Sequence, residues 1–347
     1  MVVLTPLPLV IAANSAVGRR WAHLAIGILA GVSAGVTFLI GALDLSGAGG
    51  AAGGPSTQNP VPVDVGIMVT AAIAAALASK PLRERVARIL PIDPDNPVHA
   101  LALVLAVLLF GTQLASIVFT NLGASTQSAL TLGDLIAQEA PFLVLAAAGV
   151  GLFMRRNLAQ AAERLGLVVP AWWQVVLAVA AAGAFFAFGL GMDWLSHALT
   201  PDVAQQVDST TQRLFGGLGT PAGIAVLALA PGICEEVMFR GALQPRLGLI
   251  ATALLFTCIH TQYGVSLDAL SVFVIALGLG LIRKFTNTTT SVISHTTYNL
   301  IVGLAGIGIA GSQVEVAIVV VIELALIAVS AYAIWSNRRR AVQPANP

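Results

Sequence analysis

Residues 98–122 read VHALALVLAVLLFGTQLASIVFTNL, a run with no Asp, Glu, Lys or Arg. As a helix rising 1.5 Å per residue it extends about 37 Å, enough to cross a hydrocarbon core about 30 Å thick. Apolar runs of similar length recur along the chain at about 22–43, 61–79, 134–153, 171–195, 218–244, 248–264, 267–283, 288–310 and 314–335. The fold class expected is therefore all-α, a polytopic transmembrane helical bundle of about ten spans. Composition agrees, because 57% of residues are hydrophobic and only 10% charged, where soluble domains carry about a quarter charged residues to face water. Most of this surface must face lipid. A net charge of +1 with no basic face argues against a nucleic-acid partner. Two cysteines, Cys234 and Cys258, are too few for a disulfide framework and lie within apolar runs, as small packing residues do.

Lys and Arg fall in alternate connections. Arg19 and Arg20 precede the first run. Lys80, Arg83, Arg85 and Arg88 follow the second, and Arg155, Arg156 and Arg164 follow the fourth. Arg246 follows the sixth, Arg283 and Lys284 the eighth, and Arg338, Arg339 and Arg340 the last. The other connections carry Asp44, Asp202 and Asp208, with Arg213 as the exception. Basic loops are retained in the cytoplasm, so a multi-pass cell-membrane protein with both termini cytoplasmic is expected. Trp21, Trp172, Trp173, Trp194 and Trp335 all stand at run ends, where an amphipathic ring prefers the headgroup boundary.

Residues 46–62, rich in Gly, Ser, Ala and Pro, read as a flexible external loop. Residues 1–13 are apolar, contain Pro6 and Pro8, and lack a preceding basic stretch, which reads as an interfacial arm. The expected division is an additional N-terminal transmembrane region over 1–125, a second membrane domain over 126–335 and a basic cytoplasmic tail over 336–347.

Ionisable groups inside the hydrocarbon cost several kcal/mol unless paired or hydrated, so each is a functional candidate. Ala230-Pro-Gly-Ile-Cys-Glu-Glu-Val-Met-Phe-Arg240 holds three. On a helix Glu236 and Arg240 share a face, whereas Glu235 points about 100° away. That spacing reads as a structural pair beside a free carboxylate, and a free carboxylate suits a general base. The following run ends in Phe256-Thr-Cys-Ile-His260, and the ninth contains His295-Thr-Thr-Tyr-Asn299, again four apart on one face. A turn near 245–248 brings Glu235 and His260 to similar depths, about 18 Å from the basic end, with His295 somewhat shallower. Asp64, Asp134, Glu139, Glu315 and Glu323 read as hydrated or hydrogen-bonded acids, and Asp193 with His197 as a pair at an outer boundary.

A carboxylate and an imidazole can take a proton from water, and an imidazole with an amide N–H can stabilise an oxyanion. That is equipment for hydrolysing an amide. No Gly-x-Ser-x-Gly elbow and no His-Glu-x-x-His motif is present, and the acids beside Cys234 disfavour a thiolate.

The ordered triple Glu235-Glu236-x-x-x-Arg240, Phe256-x-x-x-His260 and His295-x-x-x-Asn299 resembles the CAAX protease and bacteriocin-processing (CPBP, or Abi) family, which includes the type II CAAX prenyl endopeptidases. The similarity covers roughly residues 130–325. It implies an intramembrane protease with a conical active-site cavity inside the bilayer. Glu235, assisted by His260, would activate water, His295 and Asn299 would form the oxyanion site, and Glu236 and Arg240 would support them. The glutamate–water reading requires no cofactor; a divalent metal, should one take part, would fall to Glu235, His260 and His295. The partners implied are the lipid bilayer and a hydrophobic or lipidated peptide. Two other classes compete: a non-catalytic binding or immunity protein of the same fold, and a proton-coupled transporter. Polar groups clustered at one depth, with no file across the membrane, count against the transporter.

Overall fold

A computed structural model of the chain describes residues 4–47, 60–119, 128–306 and 327–336. The described residues form helices and connections, with no strand. The helices are α1 (Leu7–Ala16), α2 (Ala22–Leu45), α3 (Pro60–Ala76), α4 (Lys80–Ala87), α5 (Pro97–Phe119), α6 (Leu132–Gly149) and α7 (Leu158–Leu165). They continue as α8 (Trp172–Leu199), α9 (Pro201–Phe215), α10 (Pro221–Glu236), α11 (Gln244–Ile259), α12 (Leu267–Phe285), α13 (Thr288–Gly306) and α14 (Ile327–Ser336). The chain is an all-α polytopic bundle. Leu24, Ile28, Val32, Val36, Leu39 and Leu43 form an exposed apolar stripe along α2, the surface a lipid-facing helix presents.

Nine of the ten apolar runs coincide with helices. The 46–62 loop, the tenth run and the basic tail lie largely outside the described residues, α14 being the end of that run. The runs are not equivalent. Among the described residues, five helical segments are long and apolar enough to cross a membrane, namely α2, α5, α6, α8 and the stretch Pro221–Ile259. A sixth counts if α3 and α4, which meet at 90°, form one broken span. Physical reasons separate the others: α3 has only 17 residues, α12 carries Asp268, Arg283 and Lys284, and α13 is rich in Thr, Ser, His and Asn.

Pro221–Ile259 does not run straight. Phe239 and Phe256 would be about 25 Å apart along an unbroken helix, yet their ring centroids are 5.4 Å apart. The chain doubles back at Gly248, whose φ of 78° only glycine adopts without strain. From there the returning arm is short and ends at Ile259, with His260 at its C-cap and a 3₁₀ turn over Thr261–Tyr263 beyond. That arm rises about 16 Å, half the hydrocarbon thickness, where the sequence leads one to expect a run to residue 264.

The described part of the expected interfacial arm, residues 1–13, is more than that. Helix α1 docks against α5 and α6, and Asn14 is buried there. Its Nδ2 donates to Ala148 O at 2.9 Å, while its Oδ1 accepts from Arg155 Nε and Nη2 at 2.9 and 2.6 Å. Arg83 is buried too, donating to Leu77 O, Ala78 O and Pro94 O and so closing the end of α3. The basic connections gather: Arg164 lies within electrostatic range of Arg156, Arg246 and Arg283.

Candidate active site

Helix α10 is started by Thr220, whose hydroxyl accepts from Gly223 N at 3.1 Å, with Pro221 at the first helical position. It then lies against α13 at Gly232. A Cβ there would stand 2.3 Å from Thr296 Oγ1 and 3.0 Å from Thr296 N and Cα, so only glycine permits this approach. One turn later on α10 come Glu235 and Glu236. Immediately before Thr296 on α13 comes His295.

Past Glu236 the helix widens into a π segment, Val237–Leu243, in which Gln244 N bonds Phe239 O five residues back. Pro245 follows; it has no N–H for Gly241 O, and its ring crowds that carbonyl in α geometry. Arginines serve the carbonyls of this segment: Arg283 Nε donates to Arg240 O at 3.0 Å and Arg164 Nη1 to Gly241 O at 3.4 Å. Such widened turns occur often at functional sites.

Glu236 is wholly buried and fully engaged. Its Oε1 lies 3.1 Å from Arg240 Nη1 and 3.0 Å from His295 Nδ1, and its Oε2 accepts from Ser291 Oγ. Arg240, also buried, donates from Nη2 to Ala276 O at 3.3 Å and stacks its guanidinium 4.2 Å from the centroid of Phe256. Four elements, α10, the π segment, α12 and α13, are thus tied through one ion pair.

Glu235 is buried as well, but its Oε2 has no hydrogen-bond partner. The closest cationic-capable atom is His295 Nε2 at 4.0 Å. His295 therefore stands between the two glutamates, Nδ1 on Glu236 and Nε2 facing Glu235. Phe256 holds both imidazoles, with ring centroids 4.7 Å from His260 and 5.8 Å from His295. His260 Nδ1 bonds Phe256 O at 2.8 Å, which fixes the ring and leaves Nε2 for other use. Asn299, a turn beyond His295, donates from Nδ2 to Leu227 O at 3.4 Å.

Residues 217–301 match the family model of type II CAAX prenyl endopeptidase Rce1-like. The match takes in Glu235, Glu236, Arg240, His260, His295 and Asn299, the residues that carry the motif resemblance, and leaves about three quarters of the chain outside it. No curated protein and no solved structure matches the chain.

Within the Rce1-like segment the donor atoms of Glu235, His260 and His295 do not gather within 4.8 Å of one another, so as arranged they do not form a metal-binding set. The described group that does is Asp193, His197 and Asp208, all exposed at the far end of α8 and on α9. Its imidazole is already occupied, with Nδ1 on Asp193 O at 3.0 Å and Nε2 on Asp208 Oδ2 at 3.1 Å. Both cysteines are buried thiols.

Two further residues belong to the site's surroundings, and sequence reasoning passed over both. Ser291 holds Glu236 from one turn before His295; its i, i+4 spacing to His295 was the available signal. Glu139 on α6, read from sequence as a hydrated or hydrogen-bonded acid, is buried with Oε2 unpartnered and lies within electrostatic range of Glu235 and Cys234. Only the packing of α6 on α10 reveals it.

Proposed function

We propose that this chain is an intramembrane endopeptidase that hydrolyses a peptide bond in a hydrophobic or lipidated, membrane-associated peptide, using water activated by Glu235. The observation carrying the proposal is the unequal treatment of two adjacent buried carboxylates. Glu236 has an arginine, an imidazole and a hydroxyl; Glu235 Oε2 has nothing and faces an imidazole 4.0 Å away. An unpartnered carboxylate oxygen in a dry site is unfavourable unless water or substrate fills the place.

In the proposed reaction Glu235 Oε2 takes a proton from a water held beside it, with His260 Nε2 as the second contact. The hydroxide attacks the scissile carbonyl, whose oxygen becomes anionic. His295, doubly protonated with Nδ1–H on Glu236, gives its Nε2–H, and Asn299 gives an Nδ2–H, to that oxygen, the second amide hydrogen of Asn299 staying on Leu227 O to hold its orientation. When the C–N bond breaks, the proton on Glu235 passes to the leaving amine. Glu236 and Arg240 position His295 and Phe256 and take no part in proton transfer. The motifs in the Rce1-like segment support this division of roles.

The test is purified chain in proteoliposomes, given a peptide with a prenylated C-terminal cysteine motif and, separately, the same peptide unprenylated but with an added apolar segment. Cleavage by wild type that disappears in Glu235→Gln, with an unchanged melting temperature, supports the proposal. Equal cleavage by both proteins, or tight binding of the peptides by wild type without any cleavage, contradicts it; the second result would favour the binding-protein reading.

A further inference from the structure

The connection between α6 and α8 builds a second concave site, away from the Glu235 carboxylate. A cavity of about 550 Å³ is lined by Arg155, Arg156, Gln160, Glu163 and Arg164. Three guanidiniums face one carboxylate there, and none of the three forms an ion pair among the described residues. Arg246 and Arg283 add charge of the same sign within electrostatic range of Arg164, and Arg246 Nε is buried without a hydrogen-bond partner. Burial, together with Arg246, Arg156 and Arg283, pushes the Arg164 guanidinium down to about 10. Guanidiniums of one sign gathered here, holding only neutral acceptors, favour an anion in the cavity.

The backbone is shaped to keep them there. Gly151 and Phe153 both take positive φ, 85° and 59°, in a turn where Arg155 N and Arg156 N bond Gly151 O. For Phe153 that left-handed conformation is strained. The Phe153 ring stands 85% exposed, two residues before Arg155. Leu158 on α7 and Trp172 at the start of α8 are exposed in the same connection, as is Val169 at 95%. Exposed apolar side chains in the same connection as a basic concavity, with a tryptophan at a helix end, fit the headgroup boundary of a bilayer.

We propose that this cavity binds the phosphate of an anionic membrane phospholipid, the guanidiniums of Arg155, Arg156 and Arg164 taking the phosphodiester and Phe153, Leu158 and Trp172 lying among its acyl chains. Guanidinium forks match phosphate oxygens bidentately. The exposed apolar side chains of the same connection favour a lipid over free phosphate, which has nothing to set against them. The one link to the candidate active site is Arg164, whose Nη1 also reaches Gly241 O in the π segment; neither substitution below replaces it.

Two substitutions test it without disturbing the fold. Gln160→Glu keeps the capping box with Asn157, since Glu serves there as well as Gln, but places a negative charge in the cavity. Glu163→Gln removes one. The full chain is released from nanodiscs of equal phosphatidylglycerol and phosphatidylcholine, and retained lipid is read by native mass spectrometry. Wild type retains phosphatidylglycerol preferentially; Gln160→Glu lowers the preference about fivefold and Glu163→Gln raises it by a similar factor, the effect of one interfacial charge. Equal retention of both lipids by wild type, or a preference unmoved in both variants, overturns the proposal. So does displacement of phosphatidylglycerol by millimolar inorganic phosphate, which would mark a free-anion site.

Discussion

Glu236 bonds Arg240, His295 and Ser291 at once, so its replacement leaves a buried guanidinium without its anion. Breaking such a pair from one side costs about 3–5 kcal/mol. Glu236→Gln should therefore melt at a clearly lower temperature in detergent and lose activity through misplacement of His295. Glu235→Gln removes an oxygen that has no partner, so it should melt like wild type while turnover is lost. Equal melting of Glu236→Gln and wild type, together with full activity in Glu235→Gln, would refute the division of roles. Cys234 and Cys258 lie buried near the site and have no part in the proposed chemistry. The double Cys234→Ser, Cys258→Ser variant should keep most activity, and mass spectrometry during turnover should find no acyl adduct on the chain; an adduct on any residue rejects the direct-water mechanism. At this scale the sequence was informative where spacing alone decides. Four residues on a helix place Glu236 beside Arg240, and the pair is 3.1 Å apart. Contacts made between helices were harder to see: Ser291 showed only its i, i+4 spacing to His295, and the burial of Glu139 leaves no periodic trace.

Among the elements, the junction of α10 and α13 sets the distance between Glu235 and His295. Gly232 against Thr296 is its closest point, and a methyl group there must push the helices apart, at about 1–3 kcal/mol for overpacking. Gly232→Ala should thus lower activity far more than its modest loss of melting temperature suggests, and Thr296→Ala in the same chain should restore part of the rate by clearing Oγ1. An unchanged rate in Gly232→Ala would show that the 4.0 Å separation does not matter. Helical runs were legible from hydropathy, and so was the reversal near residue 248, because a short linker with Pro and Gly interrupts two apolar stretches. Hydropathy does not report the π widening over Val237–Leu243 or the stop of α11 at His260. Both depend on backbone bonds: the missing N–H of Pro245, and an imidazole that bonds Phe256 O where the helix ends.

Over the whole molecule, two arrangements join the N-terminal helices to the rest of the bundle, the second of them to the Rce1-like segment itself. Asn14 of α1 binds both Ala148 O and Arg155, and Gln113 of α5 reaches Cys258 O at 3.5 Å. The N-terminal region is thus packed onto the helices that carry the site, a relation no hydropathy plot contains. The gathering of Arg156, Arg164, Arg246 and Arg283 matches the alternation of basic connections. Single cysteines at the exposed positions Arg88 and Glu163 in a cysteine-free background should label from the cytoplasmic side, whereas one at Asp202, in an acidic connection, should label from outside. Labelling of the Glu163 position from outside would reverse the orientation. The central claim, proteolysis dependent on Glu235, is tested most directly by mapping new peptide termini in membranes from cells making equal amounts of wild type and Glu235→Gln. A defined set of termini in or beside membrane segments, present with wild type and missing with Glu235→Gln, is the predicted result; identical termini in the two membranes would contradict it.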